Sequence, residues 1–260
     1  MLMDKSTLMG VGVALGGILL GLMLEGGKIA QIIQPTAAMI VFGGTLGAVM
    51  IQFPLRVISA AGLRLGQVFV DNAQDPNILI AEMVGYAQKA RKEGIISLDA
   101  ELPAINDLFL KKTLMLAVDG TEPQEIRKIM TLELDNQSEH EDHLPQVFES
   151  AGGFAPTIGI IGAVLGLIQV MQHLDDISEV GRGIAVAFVA TIYGVGSANL
   201  FFLPVSGKIK IRIRQEQIRR EMMLEGVISI LEGMNPRMLE TKLQSFFAEA
   251  NQEALKGGPA

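Results

Sequence analysis

The sequence has no cysteine and no tryptophan, and aromatic residues fill only 5% of its 260 positions. Without cysteine there is no disulfide scaffold, no thiolate nucleophile and no Cys-based zinc or iron–sulfur site. Charge is also scarce: 19% of residues are Asp, Glu, Lys or Arg, against roughly 25% in an ordinary soluble domain. The net charge of −7 argues against a nucleic-acid partner, which a basic face would have to recognise. What is present is 49% hydrophobic residues with 29 Gly and 14 Met, giving a mean hydropathy of +0.39. Small residues at this density suit helices whose backbones approach closely in lipid.

Four stretches without Asp, Glu, Lys or Arg run from Ser6 to Leu24, Ile29 to Leu55, Ser150 to Leu174 and Gly183 to Gly207. A bilayer core of roughly 30 Å needs about 20 helical residues, so each can span it. The first is longer than a signal-peptide core and lacks a small-x-small cleavage site after it, so it reads as a retained helix. In a four-span topology, 19 of the 21 Lys and Arg fall on one side, leaving only Lys28 and Arg182 in the two short opposite loops. The positive-inside rule then places both termini and the long middle segment in the cytoplasm.

The expected fold is an all-α integral membrane protein. Residues 1–55 form a first transmembrane hairpin with spans at about 6–24 and 35–53, and 56–149 form a helical cytoplasmic domain. A second hairpin covers 150–207, with spans at about 153–172 and 183–205, and 208–260 form a cytoplasmic helical tail. Pro35 opens the second span at a favoured first-turn position, and Pro54 closes it. In the insertion, Asp75-Pro76 starts a helix that stops at Gly94. A second helix covers Asn106 to Asp119 and ends at Gly120. Thr121-x-x-Gln124 resembles a capping box opening a third through about His143. Lys208-Ile-Lys-Ile-Arg-Ile-Arg alternates formally like a strand, but its Gln/Glu/Arg/Met-rich continuation favours a long basic helix at the membrane surface. Gly257 to Ala260 should fray.

Chemistry-bearing residues are few. His140 and His143, beside Glu139, Glu141 and Asp142, could face a metal, but a solvated helix end explains them better. His173 at the outer edge of the third span is better read as an interfacial residue than as a proton relay. Gly159-x-x-Gly162 and Gly162-x-x-x-Gly166 lie in an apolar span with no following Lys-Ser/Thr, so they are not phosphate loops. Close helix packing accounts for them, as for Gly12/Gly16, Gly43/Gly47 and Ala190/Gly194/Ala198. No catalytic triad, paired-carboxylate site or cofactor motif appears, so an enzyme has no support. Within the spans the only ionisable group is His173 at one edge. Ion-coupled machines usually hold such a group at membrane depth to bind and release the ion. Here only hydroxyls are on offer, notably Thr157, Thr191, Tyr193 and Ser197, so a partner chain must supply the carboxylate.

Two hairpins around a cytoplasmic insertion, with Ala155-Pro156-Thr-Ile-Gly-Ile-Ile-Gly-Ala163-Val-Leu-Gly-Leu in the third span and Ala187-Phe-Val-Ala-Thr191-Ile-Tyr-Gly-Val in the fourth, resemble the MotA/PomA flagellar stator family. The likeness extends to Lys89-Ala-Arg91-Lys-Glu-Gly94-Ile-Ile-Ser-Leu-Asp99 and to Phe201-Phe-Leu-Pro204. It implies an ion-channel subunit of the inner membrane. Five copies would surround two single-span MotB-type chains carrying the ion-binding Asp, and ion flow would become torque on the rotor protein FliG. By the same resemblance, Pro156 and Pro204 match prolines that couple ion binding to movement. Thr191 matches a pore threonine facing the partner's carboxylate, with Thr157 and Tyr193 beside it as further hydroxyls. Ala163 stands where sodium-driven relatives carry Thr or Ser; lacking an oxygen for a hard cation, it implies proton coupling. Arg91 and Asp99 match the charged pair that meets the rotor, with Asp99 replacing the Glu of some relatives. Two rival readings are an ExbB/TolQ-type motor subunit, which resembles a three-span layout instead, and a membrane scaffold without ion conduction.

Overall fold

A computed structural model of the chain describes residues 2–71 and 76–256. Its helices are α1 (Lys5–Leu24), α2 (Pro35–Gln52), α3 (Leu55–Val68), α4 (Pro76–Glu93), α5 (Leu108–Val118), α6 (Pro123–Gln172), α7 (Ile177–Leu231) and α8 (Pro236–Lys256). Short 3-10 segments occupy Ile29–Ile32 and Ile95–Ala104. The exception to helix is a two-residue antiparallel pairing of Leu2–Met3 with Val70–Asp71. Four helices, α1, α2, α6 and α7, are long and apolar enough to cross a membrane.

The chain divides into two compact units. One comprises Met1–Asn72 with Asp142–Lys210, the other Ala73–Glu141 with Ile211–Ala260. The second unit is a helical body with a single apolar core. Met83 of α4, Leu98 of the second 3-10 segment, Leu110 and Leu114 of α5, Ile126 of α6, Met222 and Ile228 of α7, and Leu239 of α8 are all essentially inaccessible. Each such side chain contributes about 1.5–3 kcal/mol when withdrawn from water. The tail helices are therefore part of the same core as the insertion. The basic segment from Lys208 is helix rather than strand: it continues α7, and its apolar side is buried at Ile213, Ile218 and Met222.

Local signals set most helix ends here. Asp107 caps α5 by accepting from the amides of Phe109 (3.0 Å) and Leu110 (3.2 Å). After Val118 the backbone turns at Gly120 with φ +82, a conformation that glycine adopts without steric cost. The Thr121 amide then reaches back to the Leu116 carbonyl at 3.1 Å, satisfying one of the orphan acceptors at the helix end. Gly94, at φ +83, ends α4 as expected. Two expectations are corrected. α6 begins at Pro123, with the amides of Glu125 and Ile126 bonded to the Glu122 carbonyl, so Glu122 and not Thr121 stands before its first turn. Nor does α6 stop near His143: it runs 50 residues, through Pro145 and Pro156. Buried Leu144, Val147, Phe148 and Ala151 hold its middle in place, and tertiary burial outweighs the local cost of proline. The fraying expected from Gly257 onward lies outside the described residues.

Candidate functional site

The membrane unit is organised around the crossing of the third and fourth spans, formed by the later part of α6 and the first part of α7. Side chains are almost absent from this contact. A β-carbon on Gly194 would stand 2.5 Å from the Ala155 carbonyl oxygen, and one on Gly159 would stand 2.9 Å from that of Ala190. One turn on, a β-carbon on Gly162 would meet that of Ala190 at 2.8 Å, and one on Gly166 would meet the Gly183 oxygen at 2.8 Å. Three of these four approaches are to backbone oxygens and the fourth is to the β-carbon of alanine, all closer than a side chain at the glycine would permit, and they run along the shared face. The packing expected for Gly159, Gly162, Gly166 and Gly194 is therefore present. That expected for Gly12, Gly16, Gly43 and Gly47 is not: a β-carbon at each would meet nothing within 4 Å in this chain. On the second span the close approach falls on Gly44, against Ile158.

α2 leans on α7 through buried Ala37 and Val41 against Val189 and Ala190. Tyr193 fixes this contact. Its hydroxyl donates to the Ile32 carbonyl at 2.6 Å and accepts from the Gln34 amide at 3.2 Å, while its ring stacks on Phe42 at 5.9 Å. The phenol thus satisfies the irregular backbone just before Pro35, where α2 begins.

Three further hydroxyls of the third and fourth spans are turned onto their own helices. Thr191 donates to the Ala187 carbonyl at 3.2 Å, Thr157 to Phe154 at 2.8 Å and Ser197 to Gly194 at 3.2 Å. Such back-bonding satisfies a hydroxyl at membrane depth without a partner. Thr191 is half-buried and Thr157 exposed on this chain. Thr45 in the second span differs from them, buried with its hydroxyl unpaired; its i−4 carbonyl, that of Val41, belongs to a π-turn over Met39–Gly43. No ionisable group joins these hydroxyls. His173 is exposed, with Nδ1 3.0 Å from its own-helix carbonyl at Gln169. His140 belongs to the second unit and His143 to the first; both are exposed, and no metal-binding cluster of His, Cys, Asp and Glu occurs among the described residues.

A contact between α6 and α7 falls close in the chain to both prolines. Pro156 lies inside α6 and cannot donate to the carbonyl four residues earlier, at Gly152. Gly152 is where Leu203 packs, its Cδ2 standing 2.7 Å from the position of a β-carbon there. Leu203 immediately precedes Pro204, and a π-turn over Ala198–Phe202 absorbs the amide that Pro204 lacks. Of the expected site residues, Thr191 borders the Gly159–Gly194 crossing, its α-carbon 3.5 Å from where a β-carbon on Gly159 would stand, whereas Tyr193 is turned to the second span and Thr157 is exposed; Ala163 is half-buried next to Gly162, and Pro204 lies further along α7. Arg91 and Asp99 belong to the other unit and are both exposed, Arg91 in the last turn of α4 and Asp99 in the 3-10 segment. Lys89 of α4 pairs with Glu101 of the 3-10 segment at 2.5 Å, which raises the affinity of the lysine for its proton. The Gly152–Leu203 contact, the Tyr193 anchor and the orphan Thr45 hydroxyl are absent from the sequence reading, because each depends on which helices meet.

Comparison with known proteins agrees with this geometry. Residues 8–94 match the Motility protein A N-terminal family, and residues 101–222 match the MotA/TolQ/ExbB proton channel family. Motility protein A of Bacillus subtilis is 37% identical over 245 residues, 93% of this chain and 90% of that one. Chemotaxis protein PomA of Vibrio alginolyticus is 31% identical over 250 residues, 96% and 98% of the two chains. The flagellar MotAB stator complex from Bacillus subtilis contains a chain that superimposes with a TM-score of 0.88 at 36% identity, covering 97% of this chain and 99% of that one. With its glycine-packed third and fourth spans, its four apolar helices and its match along nearly the whole length, the chain belongs to the MotA branch of the MotA/TolQ/ExbB proton channel family.

Proposed function

We propose that this chain is the stator subunit of a bacterial flagellar motor, held in the cytoplasmic membrane as a homopentamer around two MotB-type single-span partners. The observation that carries the reading is a membrane core built for close helix contact yet empty of ionisable groups. Moving one charge across 100 mV is worth roughly 2.3 kcal/mol, and this can drive movement only if binding switches a site between two states. A membrane carboxylate does so, because protonation removes a charge costing about 2.5–3.5 kcal/mol at mid-bilayer. The partner supplies that Asp; Thr191 and Thr157 supply weak polar lining. Ala163 offers no oxygen to a dehydrated cation, which makes the proton the coupling ion. Tyr193 serves the pathway as the anchor of the second span. Pro156 and Pro204, close in the chain to the Gly152–Leu203 contact, let a change at the ion site alter both helices together. Arg91 and Asp99 present opposite charges to the rotor protein FliG.

Reconstitution into vesicles under a pH gradient tests the division of labour. Co-assembled chain and partner should pass protons, the chain by itself should not, and an Asp→Asn partner should abolish flux. Robust, selective proton flux through this chain alone would overturn the proposal. So would motility that collapses on sodium removal at constant proton gradient, for the ion assignment.

A further inference from the structure

The membrane unit is joined to the other unit by three stretches of chain, after Asn72, before Asp142 and after Lys210. Each is tied to another just inside the membrane unit. At the first, the Asp4 amide donates to the Phe69 carbonyl at 3.0 Å, Thr7 donates to Val68 at 3.5 Å, and Leu2–Met3 pair with Val70–Asp71. At the third, Lys208 forms an ion pair with Asp4 at 2.6 Å and bonds Ser6 at 3.3 Å. The second is tied to the third by Ser206, buried, donating to the Pro145 carbonyl at 2.9 Å, and by Lys210 with Glu149 at 2.5 Å.

Asp4 joins the first and third stretches through its own atoms, its amide to Phe69 and its carboxylate to Lys208. That carboxylate also caps α1, accepting from the amides of Ser6 at 3.0 Å and Thr7 at 3.2 Å. Bonds from Lys208, from the Ser6 hydroxyl and from the Thr7 amide hold it far below the usual carboxylate range, so it stays charged throughout physiological pH. α1 has no buried residue of its own, so this joint, not side-chain burial, fastens its start.

We propose that the Asp4–Lys208 pair is a clamp that makes the exit stretches move as one with the membrane helices, so that movement at the ion site reaches the rotor-facing unit undiminished. Asp4 and Lys208 are positioning residues in this scheme; neither touches the ion. The proposal rests on the stator reading, because it assigns the pair to torque transfer.

The test uses the full chain co-expressed with its partner in a host lacking its own stator. A bead on a flagellar stub speeds up in steps as units join, and at high load step height reports torque per unit while step number reports assembly. Asp4→Ser keeps a helix-capping oxygen and removes the charge, whereas Lys208→Gln removes the charge and leaves Asp4 untouched. Both should lower step height by the same factor, and the double variant should be no worse than either. Exchanging the charges (Asp4→Lys with Lys208→Asp) should recover part of the height, and proton flux per assembled complex should not change. Steps of full height in either single variant, fewer steps of full height, or losses that multiply in the double variant would overturn the clamp. Wild-type chain that drives no rotation would instead overturn the stator reading itself.

Discussion

Replacing Gly194 by alanine isolates the third–fourth span crossing. The new methyl group would sit 2.5 Å from the Ala155 carbonyl oxygen and 3.1 Å from the Gly159 α-carbon. Ordinary contact begins at 3.4 Å, so the helices must separate there by about 0.9 Å, and the obstacle is backbone that no rotamer change can move. A shift of that size loosens the neighbouring approaches at Gly159 and Gly162, where attraction comes from many weak contacts that decay within an ångström. Overpacking of this kind costs about 1–3 kcal/mol, against an intrinsic gain of about 1 kcal/mol for alanine over glycine in a helix. Lipid supplies no hydrophobic drive to restore the contact, so a net loss approaching 2 kcal/mol is expected. The internal control is Gly196→Ala, where nothing lies within 4 Å of the added carbon and the helix gain should stand alone. With no tryptophan in the chain, circular dichroism on the detergent-solubilised complex is the suitable melting assay. A Gly194→Ala complex that melts with or above Gly196→Ala would refute the reasoning.

Three further outcomes follow. Tyr193→Phe keeps the stack on Phe42 but leaves the Ile32 carbonyl and Gln34 amide without their partner, costing about 1–2 kcal/mol in thermal melts; an unchanged melting temperature would remove the anchor. Burial pushes the Glu225 carboxyl up, but hydrogen bonds from Arg127 (2.8 Å) and Lys242 (2.5 Å) outweigh it and hold it below its ordinary 4.5. A depressed folded value means stability present above 4.5 and lost as pH falls through the folded value. Glu225→Gln should therefore destabilise by about 1 kcal/mol at pH 7, allowing for solvent screening, with the difference fading on acidification; a deficit that persists at low pH would contradict this. Arg91→Glu should impair swimming while abundance and co-purification with the partner stay normal, because rim charges steer association more than they hold folds together. Normal swimming at both low and high ionic strength would remove Arg91 from the rotor-facing surface.

The sequence by itself determined the properties that depend on composition and short-range pattern. Apolar length specified four spans, because a bilayer admits only segments that satisfy their own backbone. Glycine spacing located the face on which the third and fourth spans meet. Pro35, Gly94 and Gly120 marked helix ends through local geometry that needs no tertiary partner. The absence of membrane carboxylates was readable residue by residue, and so was the need for a second chain. Only the tertiary structure decided what depends on which surfaces meet. Gly12 and Gly44 are equally small, yet Ile158 packs against one and nothing in the chain against the other. Pro145 and Pro156 both lie inside α6, and burial of Leu144, Val147, Phe148 and Ala151 carries the helix past the local cost of proline. Tyr193 read as one hydroxyl among several until its partners proved to be the backbone at Ile32 and Gln34, some 160 residues away in sequence. Asp4 and Lys208, separated by about 200 residues, carry no local pattern at all. Their pairing arises because the folded helices bring the first and last membrane segments to the same end of the unit, and chain separation of that length leaves no trace in spacing or periodicity.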